Sequence, residues 1–236
     1  RGPYLLPQAR WGARMGDQKG RDNTIGVLQD RFQHFHMGIS AGNVATQCGI
    51  TRQMQDELAL VSQQRAARAI AEGRFAGQIV PLELKTRTGT VQFSVAEHVR
   101  GDVTAEQLAG MKPVFKPDGS VTAGNASGIN DGAAGLVLAS GDAVKRLGLM
   151  PLARVVGYAH AGVEPALMGL GPIPATRNVL ARTGLKVQHL DVIEPNEDFA
   201  AQPVAVAREL GLDPINVNPH VSGIYLGHPD GRTGAL

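Results

Sequence analysis

The spacing of apolar and polar residues divides the chain near residue 130. Before it, Met54, Leu58 and Val61 recur at i, i+4 and i+7 behind Thr51, a good N-cap, and predict a helix that stops at Gly73. Residues 38–48 read as a shorter helix ahead of it. Residues 79–84 read as an edge strand, because Pro81 cannot donate to a ladder, and alternation over 91–95 predicts a second strand. Thr104 and Gln107 form a capping box for a short helix before Pro113. Residues 1–31 lack periodicity and read as loop.

After 130 the texture is that of a regular α/β layer. Residues 133–139 are a continuous apolar run, the pattern of a strand buried on both faces. Residues 152–158 and 190–193 read as further strands. Between them fall helices at 141–147 and from Pro174 at N1 to Thr183, stopped by Gly184. Asn196 is a good N-cap, and a helix over 197–210 puts Phe199, Pro203, Val206 and Leu210 on one face. Strands alternating with helices predict right-handed crossovers on a parallel sheet. Residues 1–129 thus read as an irregular α+β segment and 130–236 as an α/β unit.

Composition narrows the chemistry. Apolar residues make up 43% of the chain but aromatics only 4%, so Ala, Val, Leu and Ile must fill the core. The net charge of +2 and the interrupted basic residues near the start (Arg10, Arg14, Lys19, Arg21) argue against a nucleic-acid partner. No apolar stretch is long enough for a transmembrane helix, and none reads as a signal peptide. The single cysteine, Cys48, fits a reducing, cytoplasmic setting; with no activating neighbour in sequence it reads as a small apolar residue. Arg1 in place of Met suggests a fragment or a processed product.

Four segments carry candidate chemistry. Residues 122–132, T-A-G-N-A-S-G-I-N-D-G, are too small-residued for a helix or central strand, and suit a backbone wall against a ligand at a strand end. Asn196, Glu197 and Asp198 follow a predicted strand; capping and an anion-binding site are both open there, and Glu194 and Glu197 are either general acids or solubilising charges. His228 lies between Gly227 and Pro229 on a constrained loop, and imidazole is the usual base near neutral pH. His34 and His36 sit at i, i+2 without a third ligand nearby, so no metal is expected; the Met37–Gly38 pair suits a ligand wall or core packing.

These segments together resemble the thiolase family in order and spacing. His36-Met37-Gly38 with Ser40, Ala41, Asn43 and Val44 is similar to its H-M-G-x-[ST]-A-E-N-V-A. Residues 122–132 are similar to T-A-G-N-A-S-G-x-N-D-G, residues 168–175 to M-G-x-G-P-[IV]-P-A, residues 196–201 to N-E-A-F-A-A, and Gly227-His228-Pro229 with Gly231 and Gly234 to G-H-P-I-G-x-[ST]-G. The resemblance runs over nearly the whole chain. The opening, residues 3–17, most resembles bacterial β-ketothiolases that accept chains longer than acetyl and feed polyester synthesis.

The resemblance implies a layered α/β/α/β/α fold, of which 1–129 would be the inserted loop domain that holds coenzyme A and 130–236 most of the C-terminal half. It implies a soluble, cytoplasmic acyltransferase of fatty-acid or polyhydroxyalkanoate metabolism. The substrates would be acyl-CoA and CoA, with no permanently bound cofactor, and the full-length protein would be a homodimer or homotetramer. The reaction is thiolysis of a 3-ketoacyl-CoA, or the reverse Claisen condensation, through an acyl-cysteine. In the family that cysteine lies upstream of Arg1 and a second one downstream of Leu236; Cys48 matches neither. His228 would activate the nucleophile and, with Asn196 through a water, form an oxyanion hole. His36, Met37, Met168 and Phe199 would line the thioester end of the pantetheine tunnel. Ala123, Ala126 and Ser127 would meet the pantetheine amides, Met111 and Phe115 would flank the tunnel, and Arg100 would lie near the adenine or phosphate end.

The chain departs from the family's pattern after residue 197. Asp198 replaces Ala, and a carboxylate there is expected to repel a thiolate or oxyanion. Pro203 is expected to break the helix it falls in. Val221 stands at a position expected to need positive φ, and Asp230 and Arg232 replace Ile and Ala beside His228. A non-catalytic homologue that only binds CoA thioesters is the alternative function, and an α/β module without a ligand is the bland one.

Overall fold

A computed structural model of the chain describes residues 2–220, 223–229 and 231–235. Strands β1 (Tyr4–Leu5) and β2 (Arg21–Asp22) pair antiparallel, with a 3-10 turn over Pro7–Trp11 between them. The Asp22 carboxylate then accepts from the Thr24 amide and starts α1 (Asn23–Val27). Helix α2 (Met37–Gln47) buries a face of small residues, Gly38, Ser40, Ala41, Val44 and Ala45. That face lies close on the 3-10 segment Pro165–Leu170, where the Ser40 hydroxyl and Asn43 amide both donate to the Ala166 carbonyl.

Helix α3 (Arg52–Ala71) begins where expected. Thr51 Oγ1 accepts the Met54 amide at 3.2 Å, and Gly73 closes the other end in the left-handed region, φ +68°. Its buried face is not the expected one. Val61 is exposed, and Met54 and Leu58 are only half-buried; the face turned inward is Gln55, Asp56, Ala59, Ser62, Gln63, Ala66 and Ala69. The helical period was right but the face is one position over, because polar side chains on it find buried partners. Asp56 accepts from Asn125, the Ser62 hydroxyl donates to Glu197, and Gln63 accepts the Arg100 amide.

Strands β3 (Leu82–Thr86) and β4 (Gly89–Phe93) form an exposed antiparallel hairpin in the register Leu82↔Phe93 to Thr86↔Gly89. Pro81 stands just outside the ladder. Helix α4 (Ala105–Ala109) carries the Thr104–Gln107 capping box. Helix α5 (Gly141–Leu147) is capped by Ser140, and α6 (Pro172–Thr183) starts two residues earlier than expected and ends at Gly184 in the left-handed region.

Helix α7 (Ala201–Leu210) starts four residues later than the sequence suggests. Asn196 is therefore not its N-cap. Pro203 consequently falls at the third helical position, where the missing amide has no intrahelical acceptor to lose, so it does not break the helix. Helix α8 (Gly223–Leu226) precedes His228. Among the described residues no helix is long and apolar enough to cross a membrane.

The three apolar runs expected as strands make no ladder among the described residues. Residues 133–139 and 152–158 carry no β-bridge, and Leu136, Val137, Leu138, Leu152 and Val155 are exposed, Val137 at 95%. Residue Ile193 makes one isolated parallel bridge, to Val217. Hydropathy marks a segment that suits the inside of a sheet; a ladder also needs neighbours to accept and donate. Two buried clusters form the core. Ala59, Ala66, Leu108, Ala200, Ile224 and Tyr225 make one, and Val44, Ala45, Ile50, Ala201 and Ala205 the other. Adjacent residues Ala200 and Ala201 join them, so the entrance of α7 is the point where both cores meet.

Removing the Thr51 cap leaves the Met54 amide without its acceptor while touching neither core. Thr51→Ala is expected to cost about 1 kcal/mol of stability, read by chemical denaturation of the whole protein.

Candidate active site

The turn at 122–132 is held from below by a chain of polar contacts. Arg52 Nε meets Asp56 at 2.7 Å, and the other Asp56 oxygen accepts from Asn125 Nδ2 at 2.9 Å. Asn125, fully buried, also donates to the Ser120 carbonyl and accepts the Thr122 amide at 2.8 Å. Its own carbonyl accepts the Ala200 amide. The turn then runs between two other segments. On one side Ala126 bridges antiparallel to Phe199, and the Ser127 amide donates to the Asp198 carbonyl at 2.8 Å. On the other, Ile129 bridges parallel to His228, whose amide donates to the Gly128 carbonyl at 3.0 Å. Residues 126–129 thus act as a short middle strand that sets 196–199 beside 227–229.

That stitching brings Asn196 and His228 together, their Nδ2 and Nδ1 atoms 3.5 Å apart. Thr233 Oγ1 lies 2.7 Å from His228 Nδ1 and donates to the Pro229 carbonyl. Asp198, the carboxylate expected to repel a thiolate or oxyanion, contacts both Asn196 and His228. Its Oδ1 accepts from Asn196 Nδ2 at 2.5 Å and lies 3.0 Å from His228 Nε2. An ionised carboxylate only accepts, so His228 carries a proton on Nε2 in this arrangement.

A second group forms the wall beside this pair. The rings of His36 and Phe115 stack at 4.5 Å, and Phe199 meets Phe115 edge-on at 6.1 Å. His36 Nδ1 accepts the Gly38 amide and caps α2, and burial lowers its basicity. Gly38 is there for space: a Cβ on it would sit 2.1 Å from the Phe115 ring. Met37 begins α2 directly after His36. Met111 packs with Leu108 against Gly124, next to Ala123, and their carbonyls both accept from Arg52. Met168 is exposed on the 3-10 segment that rests on α2. Arg100 is exposed, and its amide donates to Gln63 of α3; His98, half-buried near it, has its basicity lowered by burial first and the Arg100 charge second. His34 is exposed with left-handed backbone, φ 57°, and does not share the use made of His36. Cys48 packs at the margin of the Val44–Ala205 cluster and lines a hollow of about 420 Å³ with Arg177 and Arg208, none of which belongs to the Asn196–His228 group.

Glu197 is the residue that sequence reasoning left undecided. It is 2% exposed, and accepts the Ser62 hydroxyl at 2.8 Å and the Asn218 amide at 2.7 Å. Asn218 is itself placed by left-handed backbone, φ 44°, in a loop gripped by Arg65 through the Pro214, Val217 and Asn218 carbonyls. Burial pushes the Glu197 carboxyl up to about 7 despite these bonds. Burial also raises the phenol of fully buried Tyr225, and Glu197 adds to it. The motif at 196–201 includes Glu197, but nothing local marks its burial, because its partners come from elsewhere in the chain; Ser62 is 135 positions away. Glu194 is raised by burial as well. Arg232 has its Nε and one terminal nitrogen buried without a partner among the described residues. The expectations for Val221 and Asp230 lie outside the described residues.

Comparison with known proteins places the arrangement. Residues 1–142 match the model of the thiolase N-terminal domain, and residues 149–236 that of the thiolase C-terminal domain. The chain belongs to the thiolase family. It is 56% identical over its full length to the beta-ketothiolase BktB of Cupriavidus necator, covering 60% of that protein. It is 50% identical to an acetyl-CoA acetyltransferase of Pseudomonas aeruginosa, covering 98% of this chain and 60% of the relative. It superposes on the crystal structure of the Bacillus anthracis acetyl-CoA acetyltransferase with a TM-score of 0.92 at 52% identity, over 99% of this chain and 59% of the other. Human mitochondrial 3-ketoacyl-CoA thiolase in complex with CoA gives 0.91 at 42% identity, over 99% and 58%. The fold is the expected thiolase-like α/β fold, and the superposition runs through the unladdered stretches too. The chain spans about 60% of the length of the curated relatives it matches.

Two outcomes test this thiolase-family site in the whole protein. Between the ordinary Glu value near 4.5 and about 7 the folded chain holds a proton on Glu197 that the unfolded chain has released. Stability therefore falls as pH rises through that window and levels off above it. Glu197→Gln keeps the Asn218 bond, and its melting temperature is expected to lose that slope and to exceed the parent's at pH 8. Gly38→Ala is expected to drive Phe115 off His36 and cost about 1–3 kcal/mol, seen as a lower melting temperature.

Proposed function

We propose that the protein is an acyltransferase that cleaves 3-ketoacyl-CoA with CoA or condenses acyl-CoA with acetyl-CoA. The observation that carries this reading is the meeting of Asn196 Nδ2 and His228 Nε2 at one point beside the 126–128 backbone. Two N–H donors aimed at one position are what a thioester oxygen needs as charge develops on it. His228 also serves as the base that prepares a cysteine nucleophile, which lies outside these residues. Ala123, Ala126 and Ser127 offer backbone groups to the pantetheine arm. His36, Met37, Met111, Phe115, Met168 and Phe199 line its path, and Arg100 takes the phosphate end, for which its planar donors suit it.

Residues 1–129 are read as the CoA-holding loop domain and 130–236 as the C-terminal α/β domain. On this reading the exposed runs 133–139 and 152–158 take ladder partners from the part of the relatives' length that the chain does not span. The whole protein is read as a cytoplasmic homodimer or homotetramer using CoA and acyl-CoA, with no permanently held cofactor and no nucleic-acid or membrane partner. The identity to a beta-ketothiolase supports a role in fatty-acid or polyhydroxyalkanoate metabolism.

The test is thiolysis of acetoacetyl-CoA by the whole protein and its His228→Ala variant. The parent is expected to turn over, and the variant to lose about 10²–10⁴-fold in kcat, the usual worth of a positioned base. Turnover undiminished by the substitution removes His228 from the reaction. Binding of CoA thioesters by a parent that never turns over favours the non-catalytic homologue.

A further inference from the structure

The feature that the family resemblance does not explain is Asp198. A single oxygen of its carboxylate lies 2.5 Å from Asn196 Nδ2 and 3.0 Å from His228 Nε2. That is the point on which the two proposed oxyanion donors converge. The side chain is held there from its own backbone, because the Asp198 carbonyl accepts the Ser127 amide and Phe199 is bridged to Ala126. The Asn196 amide turns its nitrogen toward the carboxylate and leaves its Oδ1 buried with no hydrogen-bond partner among the described residues.

We propose that Asp198 is a built-in occupant of the oxyanion position, an internal anion that competes with the thioester oxygen for Asn196 and His228. This deepens the acyltransfer reading of the same site and rests on it. The two donors are in place, but their common acceptor is already part of the chain. A thioester carbonyl that reaches them must first displace the carboxylate. If it shares the donors instead, a second negative charge develops a few ångströms from the first, which strongly disfavours ionisation of both. The pantetheine contacts lie elsewhere, on the 123–127 backbone and the His36–Phe115–Phe199 wall, and Asp198 does not compete for them. The predicted signature is therefore specific: CoA binds normally, while the acyl group adds nothing to binding and the chemical step is slow. Asp198 acts as a brake on chemistry, separate from substrate capture.

Calorimetry on the whole protein with CoA and with acetyl-CoA reads this without any need for turnover. The parent is expected to bind both with Kd values within about twofold, and Asp198→Ala to favour acetyl-CoA by about tenfold, the scale of one good polar contact. In thiolysis of acetoacetyl-CoA the same variant is expected to raise kcat by about 10–100-fold with a smaller change in KM, since losing one oxyanion donor costs about 10²–10³ in kcat. Asp198→Ser serves as a second variant should alanine unfold the segment. A parent that already prefers acetyl-CoA tenfold overturns the proposal, with no variant required. So does an unchanged Kd ratio and an unchanged or lower kcat in both variants, and CoA binding in those samples shows that the site reading survives. A parent that binds neither CoA nor acetyl-CoA overturns the site reading and this proposal together.

Discussion

Asn125 carries the placement of the whole site, because it is where a side-chain network and a backbone ladder meet. Its amide reaches down to Asp56 on α3, and its carbonyl takes the Ala200 amide at the entrance to α7. Residues 126–129 continue from it as a middle strand between the Asn196 segment and the His228 segment. Buried and fully bonded, such a network permits one arrangement and penalises others, since each lost partner leaves a desolvated polar group behind. The small residues around Asn125 are what let three backbones approach this closely.

The same logic explains why α3 buries Asp56, Ser62 and Gln63 while Val61 stays in solvent. A polar group inside costs little when its partner is already fixed there. Asp56 finds Asn125, and Ser62 finds Glu197. These two pairs tie α3 to the turn on one side and to the 196–199 segment on the other. Glu197 and Asp198, adjacent in sequence, then do opposite things. Glu197 points into the core and fastens the segment; Asp198 turns the other way, to Asn196 and His228.

The exposed apolar runs and the exposed β3–β4 hairpin stand apart from this core. Val137 and Leu152 have the character of interior residues and no interior to enter among the described residues. Their path nevertheless superposes on solved thiolases, so it follows the family's fold even where ladder bonds are missing. Continuous apolar surface of this kind calls for a covering surface.

Much of the local structure was legible in the residues themselves. Thr51, Thr104, Gly73 and Gly184 start or stop helices through bonds that span three or four positions, so a short window contains the whole cause. The motifs at 122–132, 196–201 and 227–234 likewise stood out in the sequence, and the fold brings them side by side. What the chain order could not reveal was any effect whose two halves lie far apart. The buried face of α3, the late start of α7 and the burial of Glu197 all depend on partners brought in by folding. Asp198 is the clearest case. Its charge was plain in the sequence, but only the fold shows that one of its oxygens meets both Asn196 and His228, and an anion's effect is decided by what surrounds it in space.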